Sequence, residues 1–128
     1  MNIKTIHHIA IICSDYERSK KFYKEVLGFS VISEHYRADR DSYKLDLAVD
    51  DRYQIELFSF PDAPERLSYP EARGLRHLAF AVSKVEEAIA ELRKKGVETE
   101  GIRVDELTGK RFTFFNDPDG LPLELYEE

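Results

Sequence analysis

Cysteine is all but missing from this chain: Cys13 is the only one among 128 residues. A single thiol excludes an intrachain disulfide and any zinc site built from several thiolates. A basic excess is missing too. Nineteen Lys and Arg face 25 Asp and Glu, a formal net charge of −6, which disfavours nonspecific attraction to nucleic acid or to an anionic membrane. No apolar run approaches the roughly 20 residues of a membrane span. The stretch Met1 to His8 lacks the ~7–15 residue apolar core of a secretory signal. The expectation is a soluble cytoplasmic protein that partners neither nucleic acid nor membrane. What is present suffices for a core, since hydrophobic residues make up 42% of the chain and its length suits a single domain.

The chain repeats itself. His8-Ile9-Ala10-Ile11-Ile12-Cys13-Ser14-Asp15-Tyr16-Glu17 aligns with His77-Leu78-Ala79-Phe80-Ala81-Val82-Ser83-Lys84-Val85-Glu86 at a constant offset of 69. Each half follows one grammar. A strand-length apolar run comes first, then a capping-box pattern, Ser14-x-x-Glu17 and Ser83-x-x-Glu86. A helical pattern follows, with Phe22, Tyr23, Val26 and Leu27 on one face in the first half and Val85, Ala88, Ile89 and Leu92 in the second. Gly28 and Gly96 stop the two helices. Strands are predicted at 29–36, 43–49 and 53–60, then at 97–104, 111–116 and 121–126. Polar turns join them at Asp50-Asp51 and at Asn116-Asp117-Pro118-Asp119-Gly120. The last strands match as Ile55-Glu56-Leu57 and Leu123-Glu124-Leu125, at an offset of 68. The one-residue change is expected in loops or turns, where insertions are tolerated. The fold class is therefore α+β, with two βαβββ modules forming curved mixed sheets in one domain over 1–128. Module one covers about 1–60, a Pro-rich linker about 61–75, and module two about 76–128.

Strand alternation assigns the faces. Ile9, Ile11 and Cys13 point toward the helix, and His8, Ala10 and Ile12 point to the open side, with His7 directed opposite to His8. Leu78, Phe80 and Val82 pack inward, which leaves His77, Ala79 and Ala81 outside. Glu56 and Glu124 stand between inward-facing apolar neighbours, so they join the histidines. A lone His at a strand start is usually structural, and a lone Glu in an alternating strand is usually solvated. The repeat places the same two residue types at matching positions twice. His8, Glu56, His77 and Glu124 are thus candidate ligands for a divalent first-row metal, with Zn, Ni, Co, Mn and Fe all open in the absence of thiolates. Lys44, Phe58 and Phe60 share the open face by the same alternation and are candidates for substrate binding, with burial at a dimer interface the alternative for the two phenylalanines. Arg37, Arg40, Lys110 and Arg111 lie in or beside loops, where a carboxylate or phosphate could be bound.

The residues His8-Ile9-Ala10-Ile11, Phe22-Tyr23-Lys24-Glu25-Val26-Leu27-Gly28-Phe29, Gly74 to Phe80 and Phe115 to Glu124 together resemble the vicinal-oxygen-chelate superfamily over nearly the whole chain. The His, Glu, His, Glu order is most similar to glyoxalase I. That resemblance implies a divalent metal that holds neighbouring oxygens of a small α-oxygenated substrate and stabilises an enediolate. A glutamate moves the proton. Glu124 takes the position of the principal base and Glu56 that of a ligand, both counted as catalytic. It implies a homodimer in which His8 and Glu56 of one chain meet His77 and Glu124 of the other. Pairing within one chain is the alternative. Arg73, four residues before His77, matches a thiol-contacting arginine of some glyoxalases. Two positions depart from the glutathione pattern: Ile12 replaces an arginine and Phe60 an asparagine. Three other chemistries share the resemblance: ring-cleaving dioxygenase or thiol transferase, using His8, His77 and Glu124, and epimerase. A metal-free small-molecule binding protein is the non-catalytic alternative.

Overall fold

The computed structural model describes residues 1–128, which fold as two compact units, Met1–Glu65 and Arg66–Glu128. In the first, β1 (Ile9–Cys13) leads into α1 (Tyr16–Lys21) and a π-helical turn over Phe22–Val26, followed by β2 (Ser30–Arg37), β3 (Ser42–Val49) and β4 (Arg52–Ser59). The second repeats this as β5 (Leu78–Val82), α2 (Val85–Lys94), β6 (Arg103–Val104), β7 (Arg111–Asn116) and β8 (Pro122–Glu127). The strand orders are β1-β4-β3-β2 and β5-β8-β7-β6. In each sheet the first and last strands of the module pair in parallel and the rest are antiparallel.

Alternation sets the core as expected. Ile11, Cys13, Ile55 and Leu57 are buried in the first unit, as are Val85, Leu92, Leu123 and Leu125 in the second. Helix α1 packs on β4, and α2 packs on β7 and β8. Burying one such leucine contributes about 2 kcal/mol, so each inward row holds its strand face firmly. Asp50 and Asp51 both have positive φ, 47° and 63°, as the two central residues of a type I′ hairpin turn require. In the other module Asp117 closes the corresponding turn by accepting from the backbone N–H of Asp119 and of Leu121, each at 2.9 Å.

Four sequence-based expectations need correction. The capping serines are not the caps: each helix begins one residue later than the capping-box pattern requires. Asp15 accepts from Arg18 N–H at 3.1 Å at the start of α1. At the start of α2 Lys84 makes no side-chain cap, and Glu127 of β8 accepts from Val85 N–H at 2.8 Å instead. The strand expected at 97–104 reduces to Arg103–Val104; ahead of it Glu100 touches the sheet, its N–H donating to the Phe114 carbonyl at 2.8 Å and its carbonyl accepting from Thr113 Oγ1 at 2.9 Å. The one-residue offset change does not sit in a loop. Helix starts Tyr16 and Val85 keep the offset of 69, whereas Gly28 and Gly96 already differ by 68. The extra residue is absorbed by the π turn, where Leu27 N–H reaches back five residues to the Phe22 carbonyl, the usual way a helix accommodates one insertion. Without it, α2 ends in a Schellman motif: Gly96 N–H bonds the Arg93 carbonyl and Val97 N–H the Leu92 carbonyl, with Gly96 at φ +78°. Finally, β1 starts at Ile9, so His7 and His8 precede the ladder and escape its alternation. Both rings turn toward Tyr53, at centroid distances of 5.4 and 6.0 Å.

Candidate metal centre

In the first unit, β4 presents Glu56 on the open face because Ile55 and Leu57 are drawn into the core. Its register partner on β1 is Ala10, whose small side chain leaves room around the carboxylate. His8 Nε2 stands 3.3 Å from Glu56 Oε2, and His8 Nδ1 lies 2.9 Å from His7 Nδ1. A histidine that gives Nε2 to a metal must carry its proton on Nδ1, and the neighbouring imidazole of His7 is placed to accept it.

The other oxygen of Glu56 is already engaged. Tyr53 OH donates to Oε1 in a short hydrogen bond, and Lys44 Nζ approaches it to 3.1 Å. Lys44 also meets Asp46 Oδ1 at 2.9 Å, and Ser33 donates to Asp46 Oδ2 at 2.7 Å. Burial would push Glu56 up. The hydrogen bonds from Tyr53 and Lys44, with the charges of Lys44 and His8, outweigh it and hold the carboxyl below its ordinary range. Asp46 behaves alike: burial raises it, and Ser33, Lys44 and Tyr53 bring it below the usual value. Lys44 is pushed up, chiefly by its hydrogen bond to Asp46. Burial, then the Glu56 hydrogen bond, raises the Tyr53 phenol.

Tyr53 is a residue that sequence reasoning missed. Plain alternation puts 53, 55 and 57 on one face. The β3–β4 register, however, runs Leu47↔Ile55 and then Ala48↔Tyr53, so Gln54 is an extra residue in the ladder. The bulge turns Tyr53 to the side of Glu56, as bulges beside functional sites do.

The second unit repeats the pair with different neighbours. His77 Nε2 is 2.9 Å from Glu124 Oε2, and Ala79 is the register partner of Glu124. The positions that hold Lys44 and Asp46 in the first sheet are Phe112 and Phe114 in the second, opposite Tyr126 and Glu124. The His77 ring meets Phe114 edge-on at 5.1 Å. Glu124 is buried, and His77 is its ion-pair partner.

Of the predicted site residues, the structure brings His8 to Glu56 and His77 to Glu124. No group of three or more His, Cys, Asp and Glu side chains forms a metal cluster in the chain. Lys44 reaches the open face, but its charge is taken up by two carboxylates. Phe58 and Phe60 stack at 5.9 Å beneath the guanidinium of Arg37. Arg73 is exposed in the segment that leads to His77. The donor chemistry fits a divalent ion: two donors each about 2.1 Å from one ion stand about 3.0 Å apart at a right angle and about 3.4 Å apart at a tetrahedral angle. Both His–Glu separations lie close to that span.

The chain also compares closely with known proteins. Residues 5–125 match the family model described as Glyoxalase/Bleomycin resistance protein/Dioxygenase superfamily. The uncharacterized protein YwkD of Bacillus subtilis is 67% identical over 128 residues, covering all of both chains. The crystal structure of a glyoxalase family protein from Enterococcus faecalis superposes with a TM-score of 0.91 at 54% identity, over 99% of this chain and 100% of that one. The trypanothione-dependent glyoxalase I of Leishmania major superposes with a TM-score of 0.73 at 29% identity, over 98% and 88%. No helix is long and apolar enough to cross a membrane.

Proposed function

Because the chain belongs to the Glyoxalase/Bleomycin resistance protein/Dioxygenase superfamily, we propose that it is a divalent-metal-dependent lyase or isomerase of the glyoxalase I kind, which shifts a proton between adjacent carbons of a small α-oxygenated substrate. The observation that carries this reading is the doubled His–carboxylate pair, His8–Glu56 at 3.3 Å and His77–Glu124 at 2.9 Å, on equivalent strands of two modules. The ligands are His8, Glu56, His77 and Glu124, and the ion is Zn, Ni, Co, Mn or Fe. When bound, such an ion supplies Lewis-acid stabilisation of the charge that develops on the substrate's vicinal oxygens. The working assembly is a cytoplasmic homodimer in which each chain lends one pair to each site.

The chain's own residues divide the labour. Glu56 is a fixed anion: moving it means breaking both the Tyr53 and the Lys44 contact to Oε1. Glu124 has no such donors. It is free to exchange its histidine contact for a proton on the substrate carbon, in apolar surroundings that include Phe114. Glu124 is therefore the base, and Glu56 serves mainly as ligand. The substrate is a thiol hemithioacetal or a free α-hydroxycarbonyl compound. Ile12, apolar and exposed, and Phe60 argue against glutathione as the thiol.

Protein purified without chelator and reconstituted with each metal in turn should hold one ion per chain by elemental analysis. It should isomerise hemithioacetals of an α-oxoaldehyde. Glu124→Gln should lower that rate by about 10²–10⁴-fold while the metal stays bound. Normal turnover by the variant removes Glu124 as base. Oxygen uptake with a catechol and Fe(II) would point to the dioxygenase chemistry instead. Failure to load any metal would point to a binding protein.

A further inference from the structure

Four arginines are half-buried: Arg37, Arg66, Arg76 and Arg111. Three of them spend their donors on backbone carbonyls or carboxylates. Arg66 donates to the carbonyls of Leu75 and Arg76, Arg76 to the carbonyl of Ser68, and Arg111 to Glu127 and Glu86. Arg37 does not. Its one hydrogen bond runs from Nη2 to Ser42 Oγ at 2.7 Å, a neutral acceptor, and its Nε is buried with no partner at all. The guanidinium lies over Phe58 at 4.9 Å and Phe60 at 5.5 Å. Ring faces offset part of the cost of desolvating a cation, but they accept no hydrogen bond of ordinary strength and supply no countercharge. The other cation on this face, Lys44, is matched by Asp46 at 2.9 Å and Glu56 at 3.1 Å. Arg37 is thus the cation of the open face whose charge and fork are unspent, and it sits at the end of an aromatic platform that begins two residues beyond Glu56.

We infer that Arg37 anchors an anionic group of the substrate, a carboxylate or phosphate. An apolar segment resting on Phe58 and Phe60 would link that group to the oxygens held beside Glu56. The planar fork of arginine is matched to both oxyanions. Phe58 lies about 7 Å along the strand from Glu56, so the anionic group stands roughly that far or somewhat farther from the chelating oxygens. The placement as a substrate anchor rests on the metal reading given above. The anion site itself rests on residues of one unit and needs no metal.

The test therefore begins with metal-free, ¹⁵N-labelled protein. Hexanoate, hexyl phosphate and, as the neutral control, hexanol are titrated while the side-chain Nε–H signal of Arg37 is followed. Arg37→Met identifies that signal by removing it. The expected result is a saturable shift with at least one anion and none with hexanol, and binding weakened about tenfold or more in Arg37→Met. The tighter of hexanoate and hexyl phosphate identifies the group. Anions that shift the signal no more than hexanol, or that bind Arg37→Met as tightly as wild type, overturn the inference. Should Arg37→Met fail to fold, Arg37→Lys keeps the charge without the fork and should weaken binding by a smaller factor. In parallel, acetohydroxamate is added to Co(II)-loaded protein and the visible absorption recorded. A spectral response without anion binding leaves the metal reading standing and sinks the anchor. Anion binding without any Co(II) uptake keeps the Arg37 site and removes the metal reading.

Discussion

Replacing Lys44 by methionine takes one ammonium from between two carboxylates and leaves its apolar stem in place. Lys44 Nζ is 2.9 Å from Asp46 Oδ1 and 3.1 Å from Glu56 Oε1, and those carboxylates are register neighbours across β3 and β4. At an effective dielectric of about 20, each contact is worth roughly 5 kcal/mol before desolvation. Most of that is cancelled by the loss of hydration and by screening. Exposed pairs retain about 0–1 kcal/mol, and breaking a buried one costs about 3–5. The side chains here are 27% exposed for Lys44, 13% for Asp46 and 12% for Glu56, between those limits. Lys44→Met should therefore lower the stability of the metal-free protein by about 2 kcal/mol at pH 7. The pH dependence gives a second check. Asp46 and Glu56 are held below their ordinary values in the folded state, so their contribution is fully present above the unfolded values of about 3.9 and 4.3 and fades as pH falls through the folded ones. The gap between wild type and variant should accordingly shrink between pH 7 and pH 3. Urea unfolding followed by circular dichroism at several pH values measures it. A variant as stable as wild type at pH 7, or a gap that stays constant into acid, would refute the assignment of Lys44 as the countercharge.

Two further outcomes are expected. Tyr53→Phe releases Glu56 Oε1 from its hydrogen bond and should weaken Co(II) or Zn(II) affinity by about 10-fold or more, as loss of an outer-sphere partner commonly does; competition with a chromophoric chelator measures it, and unchanged affinity would show that Lys44 alone holds the carboxylate. Mixing His8→Ala chains with His77→Ala chains should restore about a quarter of wild-type activity, because half of the randomly formed dimers carry one intact site of two; no recovery despite subunit exchange would point to pairing within one chain.

Much of this was legible in the residues because burial is a two-valued signal along a strand. Ile55, Leu57, Leu123 and Leu125 are buried as their spacing requires, and that alone puts Glu56 and Glu124 on the open faces. Illegible features break a period without announcing it. Gln54 is an ordinary strand residue, yet as the extra member of the ladder it reverses the side on which Tyr53 emerges. The π turn hides one residue inside a helix whose apolar pattern survives it. The capping serines fit a local rule, but Asp15 sits one residue closer to α1, and at α2 the distant Glu127 supplies the acceptor. His7 lies ahead of β1, where strand alternation does not apply. Arg37 reads as a loop-edge cation in one dimension; its missing partner is visible only when Phe58, Phe60 and Ser42 surround it.

The two modules repeat the His–Glu pair and exchange the company around it, which bears on the division of labour proposed for the two glutamates. Asp46 and Lys44 give the first carboxylate a charged, hydrogen-bonded setting in which it stays ionised and stationary. Phe112 and Phe114 give the second no donor, only aromatic walls. A proton carrier must change partners during each turnover, and a carboxylate tied at one oxygen by a phenol and an ammonium does so at the cost of two charge-assisted bonds. A ligand benefits from the same ties, since they hold its remaining oxygen in place. Two carboxylates whose surroundings differ in this way divide naturally into a structural and a reactive member. Exchanging Lys44 and Asp46 for their aromatic counterparts would therefore be expected to loosen Glu56 rather than to create a second efficient base, because Glu56 would lose its fixed orientation along with its countercharge.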